Sequence, residues 1–139
     1  MFYKKMIMRE KMEYGYQKIV EMSFEKTEEI VRKNLAENGF GVLTEISVDK
    51  AMKEKLNKNF RRYKILGACH PPSAFDALSE ELEVGLLLPC NVTIWENKNK
   101  TITITAIDAE KILNITGNKK LHRLSLEVNN SLKKALDSM

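Results

Sequence analysis

Two adjacent prolines, Pro71 and Pro72, constrain this chain more than any other pair of residues. Proline has a fixed φ and no backbone N–H, so neither residue continues a central strand or sits inside a helix, whereas the first turn of a helix accepts both. The apolar run Tyr63 to Cys69 is therefore expected to end as a strand just before them, with a short helix, Ser73 to Glu80, opening just after. The third proline, Pro89, falls inside the next apolar run, Glu83 to Trp95, which reads as a long strand with a bulge, a bend or an edge position at the proline. The polar turn Glu96 to Lys100 and the alternating run Thr101 to Ile107 complete a hairpin, with its threonines on the wetter side.

The elements on either side follow from periodicity and capping. Residues 1 to 13 are charged and rich in methionine, and read as an arm or short helix outside the main fold. Tyr14 to Val20 is rich in strand formers. Ser23 offers an N-cap, Glu25, Glu28 and Glu29 suit the positive end of a helix dipole, and Gly39 supplies the stop. Between them Phe24, Thr27, Val31 and Leu35 recur at helical spacing and predict a core-facing stripe. Gly41 to Val48 alternates as a strand. Asp49 is placed to cap the next helix, which carries Met52, Leu56 and Phe60 on one face and its lysines mostly off it. A short helix from Ala109 to Ile115 ends at Gly117, and Leu121, Leu124, Val128, Leu132, Ala135 and Leu136 define a C-terminal amphipathic helix that must dock on the sheet or on a second subunit. The resulting order, βαβαβαββ followed by helices, predicts one α+β domain over residues 14 to 139, with a mixed sheet and helices packed on it.

Composition narrows the class. At 139 residues the chain is long enough to bury roughly two-thirds of its unfolded surface. No apolar run approaches the ~20 residues of a membrane span, and the start of the chain lacks the long apolar segment of a secretory signal, which points to the cytoplasm. The net charge of +4 sits at the ends: residues 1 to 20 and 117 to 139 each carry +3, and the stretch between them carries −2. Solvated terminal charge explains this without nucleic acid, because no basic strand interleaved with aromatics accompanies it.

Three motifs carry a resemblance: LAENGFGVLTEISV at 35 to 48, LGACHPPSAFDAL at 66 to 78 and GLLLPCNVTIWE at 85 to 96. In this order and spacing, residues 14 to 113 resemble the bacterial and archaeal family known as domain of unknown function 302. The resemblance implies an α+β fold with a mixed sheet and a homodimer, and it implies no reaction. His70 stands where the family more often has Asn, and Ala109 where it often has Pro; the arm and the helix beyond residue 117 fall outside the strong match.

The chemistry concentrates between Leu66 and Cys90, which holds both cysteines, all three prolines and one of the two histidines. Cys69 closes one strand ahead of a proline-started helix, and Cys90 follows Pro89. A sheet that pairs these strands gathers Cys69, His70, Ser73, Cys90 and Asn91 around one crevice. Helix N-termini stabilise anions, so the backbone around Ser73 suits a small anionic ligand as well as a lowered thiol pKa. His70, held extended by the proline after it, faces either that crevice or solvent. The bland alternative makes both thiols packing groups and the Pro-Pro pair a simple helix start. No CxxC or four-ligand zinc pattern is present, so neither a metal nor a cofactor is expected. No catalytic residue is assigned. The expected function is small-ligand binding or regulation; the alternative is a thiol-dependent redox or metal-handling protein using Cys69 and Cys90.

Overall fold

The computed structural model describes residues 6–139, with side chains from residue 12 onward. Six strands and five helices alternate along it: β1 (Met6–Met12), β2 (Gly15–Val20), α1 (Phe24–Glu37), β3 (Gly41–Ser47), α2 (Val48–Leu56), β4 (Tyr63–Cys69), α3 (Pro71–Glu80), β5 (Cys90–Glu96), β6 (Ile102–Ile107), α4 (Ala109–Leu113) and α5 (Lys119–Asp137). The strands form one sheet in the order β1-β2-β6-β5-β4-β3. The fold class is α+β, and every neighbouring pair is antiparallel, so the expected mixed sheet is corrected in that detail. The reason lies in the connections. Helix α1 carries the chain from β2 across to the far edge, and three strands separate β2 from β3, which runs the same way. The helices α2 and α3 are short and return the chain to the end it left, so β3, β4 and β5 pair as antiparallel neighbours.

The core lies between one face of the sheet and the helices. Leu66 and Ala68 of β4, Val92 and Ile94 of β5, and Ile102, Ile104 and Ala106 of β6 are buried beneath α1 and α5. Helix α1 contributes Phe24, Thr27, Val31 and Leu35, the stripe that its sequence predicts. The Ser23 hydroxyl accepts from the Lys26 N–H at 3.0 Å, and Gly39 takes a left-handed φ of +87° just past the helix end, as the capping residues require. Helix α5 docks on the sheet of its own chain. Its Asn129 donates to Asp108 Oδ1 at 2.8 Å and accepts from the Ala109 N–H at 2.6 Å, which ties α5 to the start of α4.

Four expectations change. Residues 6–12, expected as an arm or short helix, form the edge strand β1 against β2; an edge strand needs backbone partners on one side only, so its sequence need not show an inward-facing stripe. Residues 1 to 5 of that expected arm lie outside the described residues. The run Glu83 to Trp95 is not one strand: Leu82–Leu87 form a 3₁₀ turn, the Leu88–Pro89 peptide is cis, and β5 begins only at Cys90. Val84 is buried with Ala77, Leu113 and Leu121, but Leu82 and Leu86 are 81% and 88% exposed, so this apolar run is covered on one side only and is not held as a buried strand. Asp49 does not cap α2; its carboxylate accepts from the Tyr63 N–H at 3.1 Å and ties α2 to β4. The hairpin threonines are less wet than expected. Thr103 is buried, its hydroxyl satisfied by Asn97, which is itself held by the Trp95 indole and donates to it at 2.8 Å, and the Thr93 and Thr105 hydroxyls hydrogen-bond across the strands. Among the described residues, no helix is long and apolar enough to cross a membrane.

Candidate functional site

The site forms where β4 stops. Cys69 is its last residue, His70 is the extended N-cap of α3, and Pro71 and Pro72 occupy the first turn. In the neighbouring strand Cys90 stands opposite Ala68, the residue before Cys69. The local sequence therefore brings Cys69, His70, Ser73 and Cys90 to one place, and all four line a cavity of about 230 Å³. Its remaining walls are apolar. Ala77 and Leu78 come from α3, Leu124 and Val128 from α5, and Leu43 from β3. Asn91 is not part of it: successive strand residues point to opposite faces, and with Cys90 toward the cavity Asn91 lines grooves on the far side of the sheet with Thr93 and Trp95.

His70 is half-buried and held from three sides. Its Nδ1 lies 2.8 Å from Ser73 Oγ, and its ring meets that of Phe40 edge-on with centroids 5.4 Å apart. A Cβ added to Gly39 would stand 3.1 Å from Cδ2 and 3.2 Å from Nε2, so the glycine serves both its left-handed turn and the space the imidazole occupies. His70 thus faces the cavity side rather than open solvent.

The two thiols share the cavity as free cysteines. Burial, with a smaller contribution from Cys69, pushes the Cys90 thiol up to about 11. At neutral pH roughly one Cys90 in ten thousand is then a thiolate, the form that attacks electrophiles and binds metals. Among the described residues, no three His, Cys, Asp or Glu side chains converge as a metal-holding group, and Cys69, His70 and Cys90 do not form one although they line the same space.

The helix start is a poorer anion site than its sequence position implies. Pro71 and Pro72 have no N–H, and the Ala74 N–H already donates to the His70 carbonyl at 2.9 Å, which leaves the Ser73 N–H as the first-turn amide for a ligand. Among the described residues, no lysine or arginine lines the cavity.

The contribution of α5 is what sequence reasoning missed. The stripe containing Leu124 and Val128 was visible at helical spacing, but nothing in it says that one end covers the core and the other closes a cavity. The second histidine, His122, lies elsewhere on α5, with Nδ1 2.7 Å from Asn114 Oδ1.

The family model described as "Domain of unknown function DUF302" matches residues 16–139. The match runs through α5 and so extends the expected boundary at residue 113. The crystal structure of an uncharacterized conserved protein DUF302 from Bacillus stearothermophilus is similar to this chain with a TM-score of 0.83 at 27% identity, covering 91% of this chain and 98% of that one. No curated protein matches the chain.

Proposed function

Starting from the fact that the chain belongs to the DUF302 family, we propose that it is a small-molecule-binding domain whose ligand is predominantly apolar and occupies the cavity between β4, α3 and α5. The cavity itself carries this reading. An apolar cavity of about 150 Å³ is enough to bind benzene, and this one, at about 230 Å³, is larger. An apolar guest that fills such a space removes its apolar walls from water, which favours binding. A thiol-based redox reading draws less support, because Cys90 is held in its protonated form.

The test is a cavity-filling substitution. Ala77 is buried in α3 and lines the space, so Ala77→Leu places three more carbons inside it. Wild-type protein is expected to bind a fluorescent hydrophobic probe that small hydrocarbons displace. Ala77→Leu is expected to keep or raise the melting temperature while weakening probe binding at least about tenfold. Equal probe affinity in the two proteins would remove the proposal.

We also infer a homodimer in a reducing compartment such as the cytoplasm. Helix α2 has no fully buried residue, Leu56 and Phe60 are 59% and 50% exposed, and Leu43 and Ile46 of the edge strand β3 are exposed as well. A second copy laid on this edge would cover them. Two free thiols suit the compartment. Sedimentation velocity is expected to show a dimer that Leu56→Asp with Phe60→Asp converts to monomer; a wild-type monomer at high micromolar concentration would leave the dimer without basis.

A further inference from the structure

Resting on the cavity reading above, we infer that the ligand carries one uncharged hydrogen-bonding oxygen, as an alcohol does, at the Ser73–His70 end of the cavity, and carries neither a carboxylate nor an ammonium group there.

The inference comes from the distribution of polar atoms. Among the lining side chains the strong hydrogen-bonding groups are the Ser73 hydroxyl and the His70 imidazole, 2.8 Å apart. Ser73 is only 7% exposed and lines the cavity, so its side chain sits against the cavity rather than on the open surface. The pair has two arrangements, because neutral imidazole offers one donor and one acceptor nitrogen. When the serine hydroxyl donates to Nδ1, its oxygen can still accept from a guest. When Nδ1–H donates to the serine, the hydroxyl proton is free for a guest to accept. An alcohol both donates and accepts, and so satisfies either arrangement. An ether or ketone only accepts and satisfies one.

Charge is excluded by what the walls lack. Apart from the His70 imidazole, no lysine, arginine, aspartate or glutamate lines the cavity among the described residues. The helix start supplies only the Ser73 amide, so beside a neutral His70 a carboxylate there would be stripped of water without a counter-charge, and an ammonium group would be as badly placed. The nearest charged groove, between α3 and α5, shares Leu124 with the cavity and is lined by Asp76, Glu80 and Glu127 against Lys120 and Arg123. Its carboxylates outnumber its cations, and Lys120 lies 3.5 Å from Glu80, so it does not complete an anion site for a guest seated in the cavity.

The test uses guests of one shape on the intact chain at neutral pH: methylcyclohexane, cyclohexanol, cyclohexanecarboxylate and cyclohexylammonium, titrated by calorimetry or by protein chemical shifts. Cyclohexanol is expected to bind at least about tenfold more tightly than either ion. In Ser73→Ala the advantage of cyclohexanol over methylcyclohexane is expected to fall severalfold while methylcyclohexane binds as before, which also reports that the cavity is intact. Tighter or equal binding of the carboxylate overturns the inference, as does an unchanged alcohol preference in a folded Ser73→Ala protein. If that variant does not fold, the wild-type ratio of alcohol to ions decides alone. Failure of all four guests, the hydrocarbon included, overturns the cavity reading itself and the inference with it.

Discussion

Replacing Gly67 with valine is expected to lower folding stability by about 2–3 kcal/mol, measured by urea denaturation. Without neighbours the change would be favourable, since glycine is a poor strand residue and valine a good one. The neighbours decide the sign. A Cβ at this position of β4 would stand 2.1 Å from Thr44 Oγ1 and 2.8 Å from Pro89 Cγ. The threonine, exposed on the edge strand β3, can rotate away, but the proline ring is fixed against the strand and forms part of the cavity wall. Valine adds two further methyl groups to the same space. Gly67→Ala is expected to cost less, about 1 kcal/mol, and Thr44→Ala in the same chain to recover part of that loss. A Gly67→Ala protein as stable as wild type would show that Pro89 yields freely, and would sink the claim that this glycine sets the spacing between β4 and the cavity wall.

The second large effect is a loss of stability at alkaline pH that belongs to Cys90. Its folded-state pKa of about 11 lies above the ordinary 9.0, chiefly through burial. Below the ordinary value the thiol is protonated in both states and its contribution is fully present. As pH rises through the window between the two values, the unfolded chain releases the proton first, so unfolding is favoured and the contribution is lost. A gap of this size corresponds to about 2–3 kcal/mol. Tyrosines and lysines titrate nearby, so the quantity to measure is the difference between wild type and Cys90→Ala across the window. That difference is expected to shrink or reverse as pH rises to about 11. A difference independent of pH would mean that the thiol is no better shielded in the folded protein than in the unfolded one.

Elements with local punctuation were legible in the sequence. Strand β4 has the bounds that Pro71 imposes, and α1 has the bounds that Ser23 and Gly39 set. What depends on distant partners was not. Leu82–Leu87 looks like strand because its residues are apolar, yet periodicity carries no information about whether a cover exists, and here two of its leucines face solvent. The antiparallel sheet follows from β2 choosing β6, a partner that no local residue names. At the candidate site, Cys69, His70 and Ser73 are brought together by one strand end and one helix start, and Cys90 by the pairing of the next strand. Asn91 was avoidable, since alternation alone turns it away from the face that Cys90 occupies. The Ser73–His70 contact and the wall from α5 were not legible, because both depend on side-chain direction rather than on order along the chain.

The pairing of β2 with β6 also sets an order of events during synthesis. Gly15 lies opposite Ile107, so the strand made among the first has its central neighbour made among the last. At about 5–20 residues per second, the early strand waits roughly 5–20 s for that neighbour. During this interval the β2 side of the hairpin of β1 and β2 lacks its partner, while β3, β4 and β5 can already assemble from consecutive segments. The sheet can thus close from the far edge inward on the nascent chain, with the β2 edge enclosed only once β6 has been made.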